Sequence, residues 1–330
     1  MKVIIPVAGV GSRLRPHTLT VPKPLLTVAG APMLDYILLE VERLNPDKVV
    51  FIIGHLGEQI SEYVKRQFPD LPAEFRWQTD PEGLGQAVSL GLDAGEEEVL
   101  IILGDTLFET DLPKVVHGEY SSIGTQTVED PRRFGVVVKT GLYVTDLVEK
   151  PEQPISKEVI VGIYWLRQGE LLREVLTEMM VKNERVRGEF QLTTALHKMV
   201  ERGTLLTTFE VPGWYDCGKV ETLLETNRHF LQRRHKEGHS MPSHCVDTVL
   251  IPPVSIASTA SVSGSVIGPY VTIGSGASVC NSVLKNCIVE RGAKVSAMLM
   301  SASVIGPEAE VSGTFHQLNI SELSEIKLVH

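Results

Sequence analysis

Apolar positions recur along this chain with two different periods, and the point where the period changes divides it. Val3, Ile4, Ile5, Val7 and Ala8 form a short apolar run closed by Gly9 and Gly11. A run of that length between turn residues predicts a buried strand, here residues 2–8. Met33, Leu34, Ile37, Leu38, Val41 and Leu44 follow at helical spacing and predict an amphipathic helix over 32–44. The short apolar run returns at 49–53, 74–78 and 99–103, with helical patterns at 57–67 and 84–93 between them. Such alternation predicts a parallel sheet with right-handed crossovers. From 106 to 215 the β patterns shorten (123–129, 135–139, 142–149, 159–166, 204–209) and alternate with helical ones at 169–181 and 189–201. This part is expected to extend the sheet with inserted β-ribbons and to form the second wall of a cleft. A helix over 219–236 ends in the run Arg228 to Lys236, which reads as a solvated basic face.

Past Gly238 and Pro242 the helical spacing is lost. Ile256, Val262, Ile267, Ile273, Val279, Val289 and Val295 recur at a period of six, and residues 267–271, 273–277 and 305–309 are near-copies of one another. This is the hexapeptide pattern of a parallel β-helix, in which one apolar side chain per short strand fills the interior. At roughly 18 residues per three-sided coil it makes about three to four coils. The period drifts between 280 and 304, and residues 319–330 are expected to cap the open end as a short helix or strand. The chain therefore reads as two domains, 1–240 and 241–330.

Composition narrows the function classes. With 43% hydrophobic and 22% charged residues in 330, the chain is that of a water-soluble globular protein. A formal net charge of −10 excludes nucleic acid or an anionic membrane surface as a general partner. Cys217, Cys245, Cys280 and Cys287 show no C-x-x-C spacing, so neither a disulfide framework nor a zinc site is expected. The N-terminal apolar stretch is too short for a signal peptide, and no apolar run reaches 18 residues. A cytoplasmic location is expected.

Parallel sheets bind ligands at the carboxyl ends of their strands. Here those ends carry the loop Gly9 to Arg13, Gly54-His55, Gln78 to Asp80 and Gly104-Asp105. Glycines let backbone N–H groups approach an anion, and Arg13 with Lys23 supplies the charge a polyphosphate requires. A nucleoside triphosphate site is expected at the start of the chain. A dinucleotide fingerprint is excluded: the sixth position of G-x-G-x-x-G is Leu14, and Ile53-Gly54-His55 lacks an acidic residue for a ribose.

Five separated segments carry a resemblance. They are Ala8-Gly9-Val10-Gly11-Ser12-Arg13-Leu14-Arg15-Pro16 with Pro22-Lys23-Pro24, Gly83-Leu84-Gly85-Gln86-Ala87, Leu103-Gly104-Asp105, Val148-Glu149-Lys150-Pro151, and Trp214-Tyr215-Asp216-Cys217-Gly218. In that order, followed by hexapeptide repeats, they resemble the sugar-1-phosphate nucleotidyltransferase family, and the two-domain layout looks most like its glucose-1-phosphate thymidylyltransferases. The resemblance implies an α/β fold: a Rossmann-like, mostly parallel sheet followed by a left-handed parallel β-helix. It implies attack of a sugar-1-phosphate oxygen on the α-phosphorus of a nucleoside triphosphate, with release of pyrophosphate. Arg13, Lys23 and Lys150 would be catalytic. Ala8, Gly9, Gly11, Ser12, Gln86, Gly91 and Gly104 would bind the nucleotide, with Gln86 reading the base and Gly91 letting it lie close to a helix. Gly135, Glu149, Gly162 and Glu189 would form the sugar pocket, and Asp105 with Asp216 would hold one Mg²⁺. The implied donor is dTTP, then UTP, and the implied acceptor is glucose 1-phosphate. A catalytically silent regulator on the same fold would lack Arg13, Lys23, Asp105 or Asp216, and all four are present. The β-helix is expected to serve oligomer contacts or stability, giving a homo-oligomer. Val10 stands where many members have glycine, Pro6 lies in the first strand, and Cys217 replaces a commoner serine or threonine.

Overall fold

Val3, Ile4 and Ile5 are without exposed surface because the strand that holds them lies in the middle of a sheet. The computed structural model describes residues 1–153, 155–237 and 245–313; the cap expected at 319–330 lies outside the described residues. Two compact units are present, Met1–Thr226 and Asn227–His330.

In the first unit the chain runs β1 (Lys2–Pro6), the small hairpin β2 (Thr27–Val28) and β3 (Ala31–Pro32), α1 (Met33–Glu42), β4 (Lys48–Ile53), α2 (Gly57–Gln67), β5 (Ala73–Trp77), α3 (Leu84–Gly91) and β6 (Val99–Ile102). It continues with β7 (Thr106–Glu109), α4 (Leu112–Val116), β8 (Ser121–Thr127), β9 (Gly135–Thr140), β10 (Tyr143–Glu149), β11 (Glu158–Leu166), α5 (Gly169–Val181), α6 (Leu192–Glu201), β12 (Leu206–Glu210) and β13 (Gly213–Asp216). Helix α7 (Val220–Lys236) contains the division between the units.

Nine strands form one sheet in the order β5-β4-β1-β6-β11-β8-β12-β10-β9. β5, β4, β1 and β6 are parallel, as the strand–helix alternation requires. Beyond β6 the sheet is mixed: β12 runs parallel to β8, while β11 and β10 pair antiparallel with their neighbours. Alternate residues divide the core. Ile4, Val50 and Ile52 join Val88 of α3, Leu172 and Leu176 of α5 and Leu196 of α6 in one apolar cluster. Val3, Ile5, Phe51 and Ile53 face the other way and are equally buried, with Phe51 stacked on Phe75 at 5.2 Å. The order of β4 and β6 on either side of β1 creates a switch point, where parallel sheets leave a crevice at the strand ends.

The second unit is built of parallel ladders, compatible with a left-handed β-helix. One ladder aligns Val262, Val279, Val295 and Val311, another Ile256, Ile273, Val289 and Ile305. Paired residues are 17 apart at first (Val249 with Val266, Val254 with Val271), then 16 apart (Val271 with Cys287, Ser278 with Lys294). This accounts for the drifting period. Gly268-Pro269-Tyr270 separates the strands ending at Ile267 and beginning at Val271, whereas only Lys285-Asn286 turns the next coil, with Asn286 left-handed at φ 51°. Cys287 takes the interior place that Val271 holds one coil earlier. Within this unit Thr272 donates from Oγ1 to Asn227 Oδ1 of α7 at 2.7 Å, and the Arg228 guanidinium lies 5.6 Å from the Tyr270 ring centroid.

Candidate functional site

A cleft of about 510 Å³ opens at the carboxyl ends of β1, β5 and β6, within the size range of small-molecule sites. Its floor is the loop after β1. Gly11 adopts φ 61°, and its carbonyl accepts from Leu14 N at 2.9 Å and Thr18 Oγ1 at 2.8 Å, closing a short 3₁₀ turn over Ser12–Leu14. Buried Leu14 pins that turn from below. A Cβ on Gly11 would meet Thr18 Cγ2 at 2.9 Å and would force a left-handed side chain, so glycine is required there by the fold itself. Gly9 is different: it is not left-handed and a Cβ would meet nothing within 4 Å. Packing within the chain gives no reason for glycine at position 9, and the free space belongs to the cleft.

Gly104 brings β6 against β1. Its N–H donates to Pro6 O at 3.2 Å, and a Cβ would stand 2.2 Å from Val7 Cγ1. Asp105 follows, with about half of its side chain exposed and its Oδ2 2.9 Å from the Nζ of Lys23, which is 9% exposed. Lys23 is delivered by a second 3₁₀ turn that begins after Pro22. Burial raises the Asp105 carboxyl, but the charge and hydrogen bond of Lys23, the Thr106 hydroxyl and the charge of Arg13 outweigh it, so the group titrates below the ordinary carboxylate range. Asp216 reaches the same cleft through an antiparallel ribbon: β13 pairs with β7, setting Asp216 opposite Thr106 and next to Asp105. Behind it Cys217 is buried, which pushes its thiol up to about 12 despite a hydrogen bond with Thr226.

Ten of the expected site residues line this cleft: Ala8, Gly9, Gly11, Ser12, Arg13, Lys23, Gly104, Asp105, Glu189 and Asp216. Two nucleotide residues do not. The Gln86 amide is spent on the preceding loop, accepting from Gln78 Nε2 and donating to Asp80 O at 3.2 Å. Gly91 lies two turns along α3 and faces β1, where a Cβ would meet Ile4 Cγ2 at 2.8 Å, so close helix–strand packing by itself calls for glycine there. Gln78, 7% exposed at the end of β5, does line the cleft, with its Nε2 donating to Gln86 Oε1 and to Gly83 O at 3.3 Å. It was legible only as one polar member of a strand end.

The remaining expected residues form a second group. Gly135 pairs across the ladder with Glu149, and Glu149 accepts from Thr193 Oγ1 at 2.7 Å and from Lys150 Nζ at 3.0 Å. Gly162, left-handed at φ 91°, lets β11 pass Leu103, where a Cβ would meet Cδ1 at 2.8 Å. Tyr164 joins the two groups: burial, then the charges of Glu149 and Asp105, raise its phenol well above the usual range.

The donor set at Asp105 and Asp216 suits a hard divalent cation. Both carboxylates border the cleft, and no group of three or more His, Cys, Asp and Glu among the described residues could hold a metal. A cation here would complete its oxygen shell from phosphate and water. No helix among the described residues is long and apolar enough to cross a membrane.

Residues 2–233 match the nucleotidyl transferase family. The bifunctional protein GlmU of Methanocaldococcus jannaschii is 34% identical over 238 residues, which cover 71% of this chain and 55% of that protein; the chain thus spans about half the length of that curated relative. Mannose-1-phosphate guanylyltransferase 1 of Arabidopsis thaliana is 29% identical over 346 residues, covering 98% of this chain and 91% of the relative. Among solved structures, a UDP-glucose pyrophosphorylase complexed with UDP-glucose superposes with a TM-score of 0.61 at 25% identity, covering 71% of this chain and 99% of that one.

Proposed function

The chain belongs to the nucleotidyl transferase family, and on that premise we propose that it transfers a nucleotidyl group from a nucleoside triphosphate to a sugar 1-phosphate, giving a nucleoside-diphosphate sugar and pyrophosphate. The observation that carries the reading is the convergence of Gly9, Gly11, Ser12, Arg13, Lys23, Asp105 and Asp216 on one cleft at the switch point of the sheet. In the reaction a P–O bond forms between the sugar phosphate and the α-phosphorus as the bond to the leaving pyrophosphate breaks. No proton needs to be moved by the protein; two anions must be held in line and the spreading charge balanced. Backbone N–H groups of residues 9–12 cradle the phosphates, and Arg13 and Lys23 neutralise the leaving pyrophosphate. Lys150, paired with Glu149 at 3.0 Å, meets the sugar phosphate, while Glu149, Gly135, Gly162 and Glu189 accept the sugar. When bound at Asp105 and Asp216, Mg²⁺ would supply Lewis-acid neutralisation of phosphate oxygens.

For the donor we favour dTTP, then UTP, with glucose 1-phosphate as acceptor. Gln78 supports a pyrimidine, because an amide that exchanges its Gln86 and Gly83 acceptors for a base can both donate to and accept from the edge of thymine or uracil. We assign base reading to Gln78, with Gln86 holding its loop. A GTP-dependent reading is favoured by the guanylyltransferase relative that aligns along nearly the whole chain. Pyrophosphate release with dTTP, UTP, GTP, ATP and CTP against glucose, mannose, galactose and N-acetylglucosamine 1-phosphates tests both; a larger rate with GTP or ATP refutes the pyrimidine assignment. A homo-oligomer is part of the proposal, supported by the exposed apolar ladder Val249, Val283 and Leu299 in the second unit.

A further inference from the structure

Lys150 at φ 45° and Arg187 at φ 53°, neither of them glycine, are left-handed, and Arg187 Nη2 donates to the Lys150 carbonyl at 2.8 Å. Such backbone persists only where its surroundings over-determine it. What fixes Arg187 is a turn. Val186 and Glu189 exchange backbone hydrogen bonds of 2.9 and 3.2 Å around Arg187 and Gly188, and both central residues have positive φ. That is the pattern of a type I′ turn, which Arg fills only at a cost.

The turn is in turn held by Arg185. Its Nε donates to Asn183 Oδ1 at 2.7 Å, its Nη1 to Gly188 O at 3.2 Å, and its Nη2 pairs with the Glu82 carboxylate. Its guanidinium also lies 4.1 Å from the Phe190 ring centroid. Phe190 is stitched to the other loop by main-chain bonds, Phe190 N to Glu82 O at 2.8 Å and Gly85 N to Phe190 O at 2.7 Å. Glu82 sits between Pro81 and Gly83, which line the cleft on the side of Gln78, while the turn carries Glu189, which lines it too. One side chain therefore ties three pieces together: the Gln78–Gln86 loop, the 186–189 turn and, through Arg187, the Lys150 backbone.

We propose that Arg185 is a positioning residue that makes the nucleotide-side loop and the sugar-phosphate-side turn a single rigid unit, so that affinity for both substrates depends on a side chain that touches neither. The inference rests on the proposed nucleotidyl transfer. Lysine cannot replace the fork, because a point charge reaches Glu82 but cannot also span Asn183 and Gly188. Loss of Arg185 would also leave the Glu82 carboxylate uncompensated beside a cleft that must accept a triphosphate.

The test uses the full chain with the nucleotide and sugar 1-phosphate that the substrate survey selects. Arg185→Met is expected to raise KM for both substrates by about tenfold, the loss of one charge-assisted hydrogen bond, with kcat within about twofold of wild type. Arg185→Lys is expected to recover the nucleotide KM in part and the sugar-phosphate KM little. The double variant Arg185→Met with Glu82→Gln separates positioning from charge: both KM values stay raised if Arg185 positions the loops. Return of both to wild type, a rise in only one of them in Arg185→Met, or no rise at all overturns the proposal. A wild-type protein without turnover on any pair would instead refute the reading on which it rests.

Discussion

Replacing Gly9 by alanine separates what the fold needs from what a ligand needs. A Cβ at Gly9 meets nothing within 4 Å and the backbone there is not left-handed. Gly9→Ala is therefore expected to fold normally and to gain stability, by about 0.4–1 kcal/mol from the less flexible unfolded chain. The methyl group, however, stands in the cleft beside the loop that is to cradle phosphate, and it keeps a phosphate oxygen from reaching the backbone N–H groups. Loss of one hydrogen bond to a charged oxygen is worth about 1.5–3 kcal/mol, or roughly 10–150-fold in kcat/KM for the nucleotide. Gly104→Ala is the internal control. Its Cβ would lie 2.2 Å from Val7 Cγ1, where carbon atoms need about 3.5–4.0 Å, and overpacking of that kind costs about 1–3 kcal/mol. Thermal unfolding and steady-state kinetics of both variants decide the matter. If Gly9→Ala unfolds as readily as Gly104→Ala, or keeps wild-type kcat/KM for the nucleotide, the assignment of that space to phosphate is wrong.

If Gln78 reads the base as proposed, Gln78→Ala should change the ratio of kcat/KM between dTTP and GTP, whereas Gln86→Ala, which loses the bond to Asp80 O, should lower kcat/KM for every nucleotide by a similar factor; equal behaviour of the two variants would contradict this division. Asp93 accepts hydrogen bonds from Arg76 at 3.1 Å and Lys2 at 2.6 Å, which hold its carboxyl well below the usual range. A carboxyl lowered by folding contributes its full stability above its unfolded pKa of about 3.9 and loses it progressively as the pH falls from there through the depressed folded-state value. The thermal midpoint of Asp93→Asn should thus lie below that of wild type at pH 7, by a gap that begins to shrink as the pH falls below about 4 and keeps shrinking with further acidification; a gap that does not narrow rules out the linkage.

Helical and strand periods were readable wherever one element buries one stripe. The patterns at 57–67 and 169–181 coincide with α2 and α5, since Ile60 and Val64, or Leu172, Val175, Leu176 and Met179, recur on one face. The cleft-lining loop after β1 was readable because its residues are consecutive. Pairing partners were not. β7 and β13 are four residues each with mixed polarity, and only tertiary contact sets Asp216 opposite Thr106. Gln78 and Gln86 are alike as residues, bond to each other across eight positions, and only the fold shows that Gln78 is the one lining the cleft. In the β-helix the interior valines were visible, but the coil length depends on corners of two or three residues, which a strict period of six cannot express.

The ribbon of β7 and β13 bears on when the protein can first act. β1, β4, β5 and β6 with their helices, the loop proposed to cradle phosphate, Lys23 and Asp105 are all encoded in the first 105 residues. The second carboxylate, Asp216, comes 111 positions after Asp105 and joins it only when β13 closes on β7. During synthesis, at about 5–20 residues per second, the proposed anion cradle is complete in sequence several seconds before the carboxylate pair can exist. A nascent chain at that stage lacks half of the proposed cation site, so the proposed nucleotidyl transfer must wait until nearly the whole first unit has left the ribosome.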